Sequence, residues 1–150
     1  MKKCSFAGHR DFYDRNIRQK LLSIIEDLVK NHSIRIFFVG NYGAFDRMIT
    51  GILNEIKKTY SIRIELIVPY LTQEIINNKL FYEKNYDRIS IPPFSSSTPN
   101  KYKIIKTNEY MIDNSDFLIC YVSKEWGGAA KTLEYALKMK KKVINVANTP

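Results

Sequence analysis

Five near-continuous apolar runs, at 3–7, 34–39, 62–68, 116–122 and 142–146, constrain this chain more than any other feature, because helical patterns separate them. Ile17, Leu21, Leu22, Ile24, Ile25, Leu28 and Val29 mark a helix over about 14–30. Phe45, Met48, Ile49, Ile52, Leu53 and Ile56 mark a second, after Gly43. A third is expected over about 100–113, and Leu133, Ala136, Leu137 and Met139 place a fourth over 128–140. Strands that are apolar on both faces and joined by helices belong in a mainly parallel sheet, covered on both sides and connected by right-handed crossovers. One domain over 1–150 accounts for the whole pattern, since a chain of this length buries roughly 68–70% of its unfolded surface without a staple.

The alternation weakens in one place. Residues 69–100 hold Tyr70, Phe81, Tyr82 and Tyr86, a short strand candidate at 88–91, and a stretch rich in proline and serine from Pro92 to Pro99. Apolar strands resume beyond it, so this segment is expected to be an irregular loop or flap and not a domain boundary.

Ligands of such sheets sit beyond the carboxyl ends of the strands, near the point where strand order reverses. Three runs end in glycine-bearing loops: Gly8, His9 and Arg10 after the first; Gly40, Asn41, Tyr42 and Gly43 after the second; Trp126, Gly127 and Gly128 after 116–122. The last is a strand, a glycine turn and a helix start. There the backbone approaches a ligand closely, and the free N–H groups and positive dipole end of the helix favour a phosphate.

Composition narrows the alternatives. No stretch approaches the ~20 apolar residues of a membrane span. The N-terminus begins like a signal peptide, but its apolar region stops at Gly8, His9 and Arg10, so a cytoplasmic protein with no membrane partner is expected. Cys4 and Cys120 fall in strands and read as buried small hydrophobes, and no metal-ligand spacing is present. The formal net charge of +9 suits an anionic partner. Its densest run, Lys138 to Lys142, lies at a helix C-terminus, where cations complement the dipole.

In motif content and order, Ser5 to Arg10, Phe38 to Asp46, Asn108 to Asp116, and Gly127 through Ala136 followed by Lys142-Val-Ile resemble the SLOG superfamily, nearest to its small YpsA- and YoqJ-like proteins. The resemblance implies a Rossmann-like three-layer αβα sandwich that binds nucleotides or nucleotide-derived ligands, commonly as a homo-oligomer, and no cofactor is expected. The LOG phosphoribohydrolases of the same superfamily carry Pro-Gly-Gly-x-Gly-Thr-x-x-Glu. Gly127, Gly128 and Glu134 match that register, whereas Trp126, Ala130 and Lys131 depart from it, and Thr107 stands where those enzymes have an arginine with a catalytic role. A more distant likeness runs to the DNA-processing protein DprA.

Each candidate has a functional and a plainer reading. Arg10 suits bidentate pairing with phosphate and His9 a bond to phosphate or ribose; otherwise Arg10 pairs with Asp11 or Asp14 on the surface. Tyr42 and Trp126 either stack on a base or pack over their loops. Asp46 complements the dipole of its helix. Lys131 is placed to answer a phosphate, with Thr132 beside it, and Glu134 either reaches a ribose, as the family register implies, or pairs with Lys138. Asn108 joins the site through the resemblance alone. The expected activity is binding of a nucleotide-derived small molecule, such as an NAD-derived or cyclic nucleotide signal, by a sensor or sequestering protein. The alternatives are an N-glycoside hydrolase using Glu134, a nucleic-acid-associated protein, and a protein-interaction module.

Overall fold

The computed structural model of the chain describes residues 2–12 and 14–147. Its elements run β1 (Lys2–Gly8), α1 (Ile17–Asn31), β2 (Ile34–Val39), α2 (Ala44–Lys57), β3 (Arg63–Ile67), α3 (Gln73–Asn77), α4 (Lys79–Asn85), β4 (Arg88–Ser90), α5 (Asn100–Asp113), β5 (Phe117–Tyr121), α6 (Gly128–Lys138) and β6 (Lys142–Asn145). The strands form one sheet in the order β4-β3-β2-β1-β5-β6, and every pairing is parallel. This is the Rossmann-like αβα sandwich expected from the sequence.

Alternation along the strands divides the core between two faces. Cys4, Phe6, Phe37, Val39, Ile64, Leu66 and Ile119 pack with Leu21 and Ile25 of α1 and Ile49 and Ile52 of α2. On the opposite face, Ala7, Leu118 and Cys120 meet Ala130 and Ala136 of α6, while Ile36, Phe38 and Ile67 meet Met111 of α5. Cys4 and Cys120 are free and buried, and burial pushes the Cys120 thiol up to about 12, so both serve as packing groups. No helix among the described residues is long and apolar enough to cross a membrane.

Strand order reverses at β1, which lies between β2 and β5. Gly8 pairs with Tyr121, so β1 and β5 end level and their following loops emerge side by side. Behind them, buried Ser5 and Ser115 both bond the Met111 carbonyl, at 2.9 and 2.6 Å, and touch one another. That knot fixes the C-terminal half of α5 against β1.

The segment 69–100 is more regular than its sequence pattern suggests. It contains α3 and α4, and β4 pairs with β3 as the sheet edge. Thr72 caps α3 by accepting the Ile75 N–H at 3.3 Å, and buried Ile75, Tyr82 and Tyr86 anchor the segment in the core shared with α2.

Candidate functional site

A cavity of about 350 Å³ opens at the switch point, walled by the loops after β1 and β5, the first turn of α6 and one side of α5. The sheet dictates this place, since parallel strands flanking a reversal send their loops apart and leave a crevice between them. Gly8, His9, Arg10, Gly40, Tyr42, Asn108, Trp126, Gly127, Gly128 and Thr132, all expected from the sequence, line it together.

Two close approaches hold its floor. A Cβ on Gly8 would lie 2.1 Å from the Phe45 ring of α2, and one on Gly43 would lie 2.7 Å from the Arg10 backbone. Gly43 therefore packs beneath Arg10 and does not line the cavity; the Ala44 N–H donates to the Arg10 carbonyl at 3.2 Å. Gly127 has φ +96°, a backbone conformation that side chains disfavour, and its strained turn starts α6. The Lys131 N–H bonds the Gly127 carbonyl at 3.1 Å, which leaves the N–H groups of Gly128, Ala129 and Ala130 without partners inside the helix. Open donors at the positive end of an 11-residue helix are of the kind that favours an anion.

His9 has a different part from the expected phosphate contact. Its Nε2 accepts the backbone N–H groups of Ser123 and Lys124 at 2.9 and 3.3 Å, stapling the β1 loop to the β5 loop. An acceptor Nε2 requires the neutral ring with its proton on Nδ1. Burial lowers the His9 pKa, the Lys124 charge adds to that, and Asp11 opposes it. On the far side, the Asn145 side chain bonds both the N–H and the carbonyl of Val122, at 3.1 and 3.0 Å, and holds the β5 loop from below.

Arg10 lacks the partners its neighbours offered. Asp11 pairs with Lys124 at 2.9 Å, and Asp14 accepts the Asn16 N–H at 3.1 Å, so among the described residues Arg10 has no carboxylate partner. It lines the crevice, and its charge acts on the Tyr42 hydroxyl.

Asp46 is more than a complement to the dipole of α2. Its Oδ2 accepts the Tyr42 N–H at 2.9 Å, and the side chain lines the crevice and also a second cavity of about 710 Å³ over β3. Burial pushes its carboxyl up to about 6, against the Tyr42 bond and the Arg47 charge. Asn41 lines the second cavity only, whereas Arg10, Gly40 and Tyr42 line both.

Lys131 and Glu134 fall outside the crevice. Gly128, Ala129 and Thr132 present one stripe of α6 to it, and at 100° per residue Lys131 and Glu134 lie on exposed faces of the same helix. Thr132 is buried, and its Oγ1 donates to the Gly128 carbonyl at 2.9 Å. Thr107, also buried, bonds the Lys103 carbonyl at 2.7 Å and presents no charge. Trp126 stands at the rim, 70% exposed, unlike a side chain packed over its own loop.

Several lining groups escape a reading by motif. Lys124 and Asp11 form an ion pair across the two loops, and Ile104 comes from α5. The Lys124 and Asp11 pairing links positions 113 residues apart, for which sequence spacing carries no signal.

Comparison with known proteins agrees with the fold. The family model described as the YspA SLOG family matches residues 8–148. The chain is 24% identical to the SPbeta prophage-derived protein YoqJ of Bacillus subtilis (strain 168), over 81% of each chain. In structure it is similar to DNA processing protein A (DprA) of Streptococcus pneumoniae, with a TM-score of 0.71 at 14% identity over 95% of this chain. A second DprA, from Helicobacter pylori, gives a TM-score of 0.67 at 17% identity, and its structure describes a single-stranded DNA binding mode. The chain spans 49% of the first of these proteins and 63% of the second, so these two likenesses show a shared fold.

Proposed function

The chain belongs to the YspA SLOG family, and from that premise we propose that it binds a nucleotide or nucleotide-derived small molecule, phosphate first, in the crevice between β1 and β5. One observation carries the reading: Arg10, with no carboxylate partner among the described residues, and the open first turn of α6 line the same 350 Å³ cavity. Cationic and backbone donors converging on one concave space recognise phosphate oxygens. A cavity of this volume lies within the range of small-molecule sites. His9 and Asn145 act on the loops and not on the ligand, holding the donors in place before it arrives, which lowers the ordering cost of binding.

Binding without turnover fits the chemistry of the walls. Glycosidic cleavage calls for a carboxylate free to act at the scissile bond; Glu134, the one in the hydrolase register, is exposed on α6 away from the crevice, and the two that line it are engaged, Asp11 with Lys124 and Asp46 with the Tyr42 N–H. A sensor or sequestering role needs only the affinity. Calorimetric titration with ADP-ribose, AMP and ribose 5-phosphate tests the reading: phosphate-bearing compounds bind and Arg10→Ala weakens them all. Binding unchanged in Arg10→Ala refutes it. Chromatography of the same mixtures tests turnover, and free base formed by the wild type and lost in Glu134→Ala would establish the hydrolase instead.

A second reading is single-stranded nucleic acid, favoured by the net charge of +9 and the fold shared with DprA. A gel shift across salt concentration separates the two, because backbone-phosphate binding weakens steeply with salt. Tight, salt-sensitive retention of an oligonucleotide at the crevice would favour this second reading.

A further inference from the structure

The cavity over β3 is the larger of the two, about 710 Å³, and the segment that departs from simple strand and helix alternation builds one side of it. Tyr42, Tyr70, Phe81, Tyr82 and Tyr86 line it. Tyr82 and Tyr86 are fixed through their hydroxyls. The Tyr82 hydroxyl bonds Glu74, and Tyr86 bonds Thr50 at 3.1 Å. Tyr70 lies close enough to the Tyr42 hydroxyl to influence its ionisation. Tyr82 and Tyr86 stack at 5.8 Å with an interplanar angle of 20°, and Phe81 meets Tyr82 edge-on. A core needs no such open arrangement: Phe81 is 55% exposed beside an empty volume that it helps to enclose.

We propose that this aromatic annex receives the nucleobase of the same ligand whose phosphate occupies the crevice, so that the chain selects two-part nucleotides over bare sugar phosphates. The assignment rests on the phosphate reading of the crevice and extends it by one subsite. The two cavities adjoin, since Arg10, Gly40, Tyr42 and Asp46 belong to both walls. A ligand can therefore pass from the phosphate donors to the rings without leaving protein. A nucleobase is planar, apolar on its faces and polar at its edge, and the annex offers rings with Asn41, Thr50 and Asn85 between them. Asp46 and Glu74 would suit an organic cation, but Arg10 and Arg47 share the same lining and oppose one.

Three probes separate the annex from the crevice: adenosine has the base alone, ribose 5-phosphate the phosphate alone, and ADP-ribose both. Each is titrated calorimetrically into wild type, Phe81→Ala, Tyr70→Ala and the control Leu80→Ala, whose side chain is 82% exposed and outside the lining. Melting curves accompany every variant. The wild type should bind ADP-ribose at least about tenfold more tightly than ribose 5-phosphate, which is the scale of one base stacked on an aromatic ring. Phe81→Ala and Tyr70→Ala should remove most of that margin and leave ribose 5-phosphate within about twofold. Leu80→Ala should change neither. A margin absent in the wild type, or intact in both annex variants, overturns the proposal. If adenosine binds and is lost in both annex variants while ribose 5-phosphate never binds, the annex stands as a base site and the crevice reading falls. If no probe binds, both fall.

Discussion

The crevice and the annex adjoin, yet they are made of different materials. Backbone builds the crevice: Gly8, Gly43 and Gly127 allow close approach or an unusual turn, and the first-turn N–H groups of α6 supply the donors. Side chains build the annex, from rings carried by the seven-residue α4 and the residue that follows it, by the loop before α3 and by the loop after β2. A wall of backbone fails when a side chain is added, and a wall of rings fails when one is removed. The difference also assigns tasks. Fixed donors suit phosphate, whose geometry is constant, while rings suit a base, whose faces tolerate varied contacts.

The largest effect should come from adding bulk to the backbone wall. Gly8→Val drives a side chain into the Phe45 ring, and overpacking of this kind costs about 1–3 kcal/mol. The melting temperature should fall by several degrees, whereas Phe81→Ala on the half-exposed annex rim should leave it within about 2 °C. Equal melting temperatures for the two would erase the distinction between the regions.

Arg10 lines both cavities, and its removal tests which of them it serves. A charged hydrogen bond contributes about 1.5–3 kcal/mol, so Arg10→Ala should weaken ribose 5-phosphate by roughly 10–100-fold. Adenosine should be nearly unaffected. Loss of adenosine alone would transfer Arg10 to the annex.

Acidity sharpens the contrast, because the staple and the shared wall respond in opposite senses. The Asp46 carboxyl titrates at about 6 in the folded protein against 3.8 ordinarily. Between those values the folded state holds a proton that the unfolded state has lost, so this group lowers stability as pH rises through that window. The His9 pKa is depressed below 6.5, so its contribution is present above 6.5 and is lost as pH falls through the folded value. Melting temperature against pH should slope downward across pH 4–6 in His9→Gln, through Asp46. In Asp46→Asn that downward slope should vanish, leaving the rise due to His9. Identical profiles for the two variants would show that neither group titrates as its surroundings imply. A bound phosphate should also favour protonated Asp46, making binding tighter at pH 5.5 than at pH 7.5, by up to about tenfold per unit of coupled shift.

The smallest effects belong to Lys131 and Glu134. Both are exposed on α6 outside either cavity, so alanine at either position should change ribose 5-phosphate binding by less than about twofold. A loss on the scale of Arg10→Ala would bring that face of the helix into the site.

The sequence carried the sheet well because most strands are rich in apolar residues and each long helix repeats every 3.6 residues. Ile34–Val39 is the strand that the pattern marks, residue for residue. The same pattern missed α3 and α4, since helices of five and seven residues are too short to show a period and hold their shape through tertiary packing of Ile75 and Tyr82. Glycines pointed to the crevice because a backbone wall leaves its mark in composition. Which residues of α6 face it depended on rotation about the helix, which sets Lys131, expected from its place in the first turn, and Glu134, expected from the family register, on exposed faces. The staple at His9 and the clamp at Asn145 join residues more than twenty positions from their partners and leave no local trace.

The most direct test follows the amide resonances of labelled protein while ADP-ribose is added. The account predicts large shifts at Gly8, Arg10, Gly127, Gly128 and Ala129, together with a second group at Tyr70, Phe81 and Tyr82, all saturating at one ligand per chain. Shifts centred on Lys131, Glu134 and Lys138, with Gly127 and Gly128 unmoved, would contradict it.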